Sequence, residues 1–207
     1  STSGFGTVVF AAQRVITATL SGTPTKPYDG TNTAPLGSIS VSLPGVVSPD
    51  VVTASGISAL YDDKNVAGSP TKEVTVSGLS LGGANADNYL LSSTTASANI
   101  GTITALSITA SITGSITKTF DGNATAALTS TDYTLSSVIF PDDVTVTNTS
   151  GSYDNKNITG SPTKTVTVTS LVLGGADAGN YALSNAASVS GNVGTINALG
   201  ITVTPDP

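Results

Sequence analysis

Lys72-Glu73-Val74-Thr75-Val76-Ser77-Gly78-Leu79 and, 92 positions further on, Lys164-Thr165-Val166-Thr167-Val168-Thr169 decide the fold class. In both, valine alternates with a small hydroxyl residue, so one face is apolar and the other polar at the period of a half-buried strand. β-branched Val and Thr fit a pleated surface better than a helix. Outward from these segments the pattern recurs in Val15-Ile16-Thr17-Ala18-Thr19-Leu20, in Ser38 to Leu43 and in Ser107 to Ile112. Gly, Pro, Asn and Asp cluster between the runs, as turn residues do. No stretch sustains a 3.6-residue period, and a single turn near Gly83 to Asn88 is the best helical candidate. Several short strands per ~90 residues predict an all-β chain built of small antiparallel domains.

The chain also states its motifs twice. Thr25-Lys26-Pro27-Tyr28-Asp29-Gly30 returns as Thr117-Lys118-Thr119-Phe120-Asp121-Gly122. Tyr61-Asp62-Asp63-Lys64-Asn65 returns as Tyr153-Asp154-Asn155-Lys156-Asn157, and Gly68 to Lys72 returns as Gly160 to Lys164. Asn88-Tyr89 returns as Asn180-Tyr181, and Gly101-Thr102-Ile103 closes a repeat that Gly194-Thr195-Ile196 closes again. A period this long is the size of a small domain, not of a solenoid turn. The expected organisation is an N-terminal flank over 1–13, where Gly6-Thr7-Val8 echoes the end of a preceding repeat. Repeat one then covers 14–105 and repeat two 106–198, and 199–207 opens a third copy, since Ala198 to Val203 restates Ala105 to Ala110. Ile100 to Ile108 passes from one repeat to the next without Pro or a charge block, which predicts a stiff hinge and a monomeric rod.

Composition removes whole classes of function. The chain has no Cys, His, Met or Trp, so disulfides, zinc–thiolate sites, thiol nucleophiles and histidine bases are all absent. Only 10% of residues are charged, and Ser and Thr supply the polar surface instead. Each repeat carries three Lys against six acids, and the net charge is −6. With Arg14 as the sole arginine, phosphate neutralisation is poorly served and nucleic acid is not an expected partner. No apolar run reaches the ~20 residues of a membrane helix, so no membrane insertion is expected.

Asp177-Ala178-Gly179-Asn180-Tyr181-Ala182-Leu183 and Asn85-Ala86-Asp87-Asn88-Tyr89-Leu90-Leu91 narrow the fold. In immunoglobulin-type sandwiches a Tyr two residues before a core position turns its hydroxyl back onto upstream backbone, and Leu91 and Leu183 would hold that core position. An immunoglobulin-like sandwich is therefore the favoured expectation. A β-grasp-like arrangement, with the turn at 83–88 in place of its helix, is the alternative.

With these motifs in place, the chain resembles the YDG-type repeat domains of large bacterial adhesins and filamentous-haemagglutinin-like exoproteins. The resemblance rests on Lys26 to Thr31, Tyr61 to Val66, Lys72 to Val76, Leu79 to Ala84, Asn88-Tyr89 and Gly101 to Ile103, with the same set in repeat two. Repeat two departs with Phe120 for Tyr and Asn155 for the second Asp. The resemblance implies an extracellular array of structural modules that spaces an adhesive region from the bacterial surface. It implies no catalytic residues.

The motif residues are thus expected to be structural: Tyr28, Asp29, Gly30, Tyr61 and Tyr89, with Phe120, Asp121, Gly122, Tyr153 and Tyr181 in the second copy. Tyr28 and Phe120 read as aromatic plugs under a turn, and the Tyr-to-Phe change argues against an essential hydroxyl there. No cofactor is expected. Calcium is the one left open, through the hard oxygens of Asp29, Asp50, Asp62, Asp63, Asp121, Asp142 and Asp154, although no D-x-D-x-D-G run is present. A Lys–Asn isopeptide staple would need one of Lys26, Lys64, Lys72 or their mates Lys118, Lys156, Lys164 buried beside an acid, with Asn65, Asn157, Asn88 or Asn180 as partner. Hydrolysis has plentiful Ser and Thr but no His to serve as base, so no enzyme is expected. The expected function is a stalk or spacer whose partners are its neighbouring repeats. The alternative is a module that itself binds glycan, host protein or a partner cell, with any specificity in the drifted segments 33–58 and 125–150.

Overall fold

A computed structural model describes residues 12–204; the echo at Gly6 to Val8 and the last three residues lie outside them. The chain divides into two compact units, 1–104 and 105–207. The first contains β1 (Arg14–Ile16), β2 (Thr19–Gly22), β3 (Thr25–Pro27), β4 (Ile39–Ser42), β5 (Thr53–Ser55), β6 (Ser58–Tyr61), β7 (Lys72–Ser77), β8 (Ser80–Gly82), β9 (Tyr89–Leu91) and β10 (Thr95–Thr104). The second contains β11 (Leu106–Ile108), β12 (Ala110–Ile112), β13 (Ile116–Thr119), β14 (Thr125–Ala127), β15 (Tyr133–Leu135), β16 (Thr145–Val146), β17 (Ser150–Tyr153), β18 (Lys164–Thr169), β19 (Leu173–Gly174), β20 (Tyr181–Leu183) and β21 (Ser188–Asn197). The fold is all-β. The only helical turns among the described residues are short 3₁₀ pieces, including Ala86–Asn88 and Ala178–Asn180 where the single turn was expected. No helix there is long and apolar enough to cross a membrane.

The unit is organised around β7 and β10. Their antiparallel ladder runs from Ser77 against Thr95 to Lys72 against Gly101, with a register shift between Asn99 and Gly101. β6 flanks β7 and β3 flanks β10, giving the order β3-β10-β7-β6. The second unit repeats this as β13-β21-β18-β17-β14. Two-stranded pairs β2-β4, β5-β8 and β1-β9 complete unit one, and β12-β15, β16-β19 and β11-β20 complete unit two.

The all-β domains are mainly antiparallel, as expected, with two parallel pairings in each unit. β1 runs parallel to β9 and β3 parallel to β10, as β11 does to β20 and β13 to β21. The strand expected over Val15 to Leu20 is two strands. β1 pairs with β9 and β2 with β4, so the chain changes neighbours at Thr17-Ala18. The run from Ser107 to Ile112 divides in the same way into β11 and β12.

Alternation on β7 sends Val74 and Val76 inward, and β18 does the same with Val166 and Val168; all four are fully buried. Around them pack Tyr28, Ala59, Tyr61 and Ile103 in unit one, and Ala126, Tyr153 and Ile196 in unit two. Burying a side chain such as Val or Ile contributes about 1.5–3 kcal/mol, so this layer carries much of each unit's stability.

Candidate functional site

Tyr61 and Tyr153 lie at the middle of the structural site the repeats have in common. The Tyr61 hydroxyl donates to the Pro24 carbonyl at 2.9 Å and to the Thr102 carbonyl at 3.2 Å. Tyr153 does the same to Ile116 at 2.9 Å and Thr195 at 3.5 Å. Each ring lies on the glycine of the closing Gly-Thr-Ile. A Cβ on Gly101 would come within 2.6 Å of the Tyr61 ring, and one on Gly194 within 2.7 Å of the Tyr153 ring. Desolvation raises the pKa of both phenols, with the carboxylates of Asp29 and Asp121 adding to it.

Lysines tie the loops to these rings. Lys26 lies 5.8 Å from the Tyr61 ring centre, and its ammonium donates to Asp29 Oδ1 (2.7 Å), to the Thr31 carbonyl (2.8 Å) and to Thr31 Oγ1 (2.9 Å). Lys118 repeats this over Tyr153 at 5.6 Å, with Asp121 Oδ1 (2.7 Å), the Asn123 carbonyl (2.8 Å) and Asn123 Oδ1 (2.9 Å). Asp29 also accepts the Thr31 N–H, while Gly30 and Gly122 turn with φ of 78° and 83°. The name-giving triplet is thus a turn whose aspartate is paired inside the repeat. Tyr28 above it is buried, and Phe120 is half-buried against the second core.

A second lysine in each repeat is buried outright. Lys72 is 2% exposed and Lys164 1%, each at the head of the central strand. Lys72 Nζ meets Asp62 Oδ1 at 3.0 Å, Asp63 Oδ1 at 2.9 Å and the Ala67 carbonyl at 3.1 Å. Lys164 Nζ meets Asp154 Oδ1 at 2.8 Å, Asn155 Oδ1 at 3.0 Å and the Thr159 carbonyl at 3.2 Å. An ammonium has three donors, and here all are used to hold the loop that joins β6 to β7, or β17 to β18. The same loop reaches the opposite strand: Ser69 Oγ accepts the Ile103 N–H, and Ser161 Oγ that of Ile196.

Electrostatics agree with a charged clamp. Burial favours the neutral amine of Lys72, but hydrogen bonds to Asp63 and Asp62 outweigh it and its pKa is raised. Partial burial pushes Asp63 up, and the bonds from Lys72 and Asn65 bring it below the ordinary carboxylate range. Asp29 is lowered in the same way, with Lys26 and Thr31 overcoming its burial. Hydrogen bonds from Lys118 and Lys164 lower Asp121 and Asp154.

The expected tyrosine corner takes a different form. Tyr89 and Tyr181 are themselves buried, while Leu91 and Leu183 are half-buried. The Tyr89 hydroxyl accepts the Val47 N–H at 3.0 Å and donates to Asp50 Oδ2 at 2.7 Å; Tyr181 does so with Ile139 and Asp142 at 3.1 and 2.7 Å. These tyrosines anchor the long loop between β4 and β5, or β15 and β16, from 42 positions away. A corner of the expected kind would bond backbone only a few residues upstream.

The structure brings together Tyr28, Asp29, Gly30 and Tyr61 around Lys26, and Phe120, Asp121, Gly122 and Tyr153 around Lys118. Tyr89 and Tyr181 stand apart with their loops. The carboxylates considered for calcium are engaged internally: Asp29, Asp62, Asp63, Asp121 and Asp154 with lysines, Asp50 and Asp142 with tyrosines. Of the lysines considered for a covalent staple, Lys118 and Lys164 have a side-chain amide at the ammonium, from Asn123 and Asn155, neither of which is among the asparagines expected as partners. What sequence reasoning missed is the burial of Lys72 and Lys164. The available signal was their place in the repeated Gly-Ser-Pro-Thr-Lys, with an acidic loop nine or ten residues earlier.

A family model described as the YDG domain matches residues 12–96 and again 104–203. No curated protein and no solved structure matches the chain. On the two family matches, which cover most of its length, the chain belongs to the YDG domain family and carries two tandem copies of the domain.

Proposed function

We propose that the tandem YDG domains are a spacer segment of a bacterial surface or secreted adhesin, extending an adhesive region away from the cell. The observation that supports this best is which residues the two copies share. Tyr61 and Tyr153, Lys72 and Lys164, the valines of β7 and β18, Tyr89 and Tyr181, and Gly101 and Gly194 are identical, and all are buried. Exposed segments diverge, as in Ser48 against Phe140 and Val51 against Asp143. The exposed residues that are also kept, such as Asp29 and Asp121 or Asp62 and Asp154, pair with lysines of their own repeat, so what is copied is a shape and not a binding chemistry.

Composition fits an extracellular setting and a non-enzymatic role. A cysteine-free chain poor in charge and rich in Ser and Thr crosses membranes unfolded without thiol chemistry to protect. In this account biofilm or host attachment is exerted by other parts of the adhesin. The test is a glycan array probed with the two-domain chain, first with calcium and then with chelator. No saturable binding in either condition is the expected result. Saturable binding would make the domains binders in their own right, and its loss in chelator would assign the acidic turns to a metal.

A further inference from the structure

One loop of repeat two brings an amine, a carboxylate and a carboxamide into contact. The Lys164 side chain is 0% exposed, and its Nζ lies 2.8 Å from Asp154 Oδ1 and 3.0 Å from Asn155 Oδ1. Asn155 Oδ1 also accepts the Asn157 N–H at 2.9 Å. Two donors aimed at one atom identify it as the oxygen of the amide and not its nitrogen. The carbonyl carbon of Asn155 is therefore one bond beyond an oxygen that the lysine nitrogen already meets. That oxygen is also polarised by a backbone N–H.

Repeat one has the same lysine but a different set around it. Lys72 Nζ meets Asp62 Oδ1 at 3.0 Å and Asp63 Oδ1 at 2.9 Å, and Asp63 Oδ1 accepts the Asn65 N–H at 2.6 Å. Asp63 stands where repeat two has Asn155. A carboxylate paired with an ammonium is inert toward it, because its negative charge repels a nucleophile and it offers no leaving group. A carboxamide is neutral and can release ammonia. The two copies thus keep the amine, the first acid and the backbone N–H, and differ at the group an amine could attack.

We propose that Lys164 and Asn155 join in an intramolecular amide bond, with Asp154 carrying the proton and the Asn157 N–H holding the developing oxyanion. Asp154 takes a proton from the Lys164 ammonium, and the neutral amine adds to Cγ of Asn155. Negative charge gathers on Oδ1, where the Asn157 N–H already points. Asp154 returns its proton to Nδ2, the carbonyl re-forms and the Cγ–Nδ2 bond breaks. Ammonia leaves with a further proton of the former ammonium. An ammonium and a primary amide thus become a secondary amide and an ammonium ion, with no oxidant. Asn155 is exposed, so ammonia escapes to solvent and the bond stays formed. Fixed contact replaces a bimolecular encounter between the two groups. The product ties the loop between β17 and β18 covalently to the head of the central strand. This inference stands apart from the spacer role and holds whether or not the domains bind anything.

The test is mass spectrometry of the 207-residue chain, intact and after digestion with a lysine-specific protease. The folded chain should carry, or acquire on incubation at neutral pH, a mass lower by one ammonia. A succinimide at an asparagine removes the same mass, so the digest decides between them. In the linked chain cleavage after Lys164 should be lost, and cleavage after Lys156 should leave 119–156 joined to 157–207. Asn155→Asp should abolish the linkage, and Asp154→Ala should slow it at least about tenfold. Asp63→Asn should add a second linkage, at Lys72, with loss of a second ammonia. Asn155→Asp and Asp63→Asn each give one repeat the set that the other repeat folds with, so these arms survive even if Asp154→Ala fails to fold. No ammonia lost from the folded chain would overturn the proposal. So would Lys164 still cleaved in chain that has lost ammonia, a linkage that persists in Asn155→Asp, or one that maps to Lys118 and Asn123 instead.

Discussion

Gly101 and Gly194 are bare because a tyrosine ring occupies the space a side chain would need. Gly101→Ala or Gly194→Ala must push Tyr61 or Tyr153 off the carbonyls it bonds. Each should cost about 1–3 kcal/mol in its own domain, measurable as a lower urea midpoint. Lys72 and Lys164 lead to a related prediction. Replacing either with Met keeps the stem but leaves a carboxylate and a loop carbonyl without their donor. The expected loss is about 2 kcal/mol, below that of a fully buried pair because Asp62, Asp63 and Asp154 are each close to half exposed. Thermal unfolding of the two variants would check this, and an unchanged midpoint would reduce the clamp to surface decoration. The inward valines of β7 and β18 were plain in the alternation of the sequence. The buried lysines were not, because their partners come from a loop and no periodic pattern records a loop's path.

At the scale of elements, the charged loops make stability depend on pH in a defined direction. Asp29, Asp63, Asp121 and Asp154 have lowered pKa values in the folded chain. The stability they contribute is complete above the unfolded carboxylate value of about 3.9 and is lost as pH falls through their lower folded values. Lys72 is raised, so its contribution is complete below the unfolded lysine value of about 10.4 and fades as pH climbs through the higher folded one. Denaturant midpoints should therefore stay level through neutrality and drop only toward the two extremes. A decline beginning near pH 6 would contradict these assignments. The Tyr89 hydroxyl holds the loop between β4 and β5 at Val47 and Asp50, and Tyr89→Phe should speed hydrogen exchange at Val47 while leaving β7 and β10 protected. Strand positions at this scale were mostly legible, but strand partners were not. Half-buried parallel and antiparallel strands alternate alike, so nothing in Lys26 or Ile103 announces that β3 and β10 run side by side in the same direction. Nor does the unbroken run from Val15 to Leu20 show that its two halves pair with different strands, since both halves bury the same face.

For the whole molecule, the repeat was the most legible feature, because a copied interior leaves a copied sequence. The correspondence of segments 33–58 and 125–150 was harder to see, although Leu43, Val46, Val52 and Thr53 recur as Leu135, Val138, Val144 and Thr145. Two domains with independent cores should each respond to their own core variants, so Val74→Ala should lower one unfolding transition by about 2 kcal/mol and leave the other in place. Reach is a property of the whole array, and a cell surface is where it can be measured. One, two or four copies of the domain would be displayed between a membrane anchor and an unrelated binding tip, on bacteria bearing a thick capsule. Adhesion through the tip should rise with copy number and disappear when the tip is removed. Adhesion indifferent to copy number, or adhesion by the repeats without a tip, would contradict the spacer role.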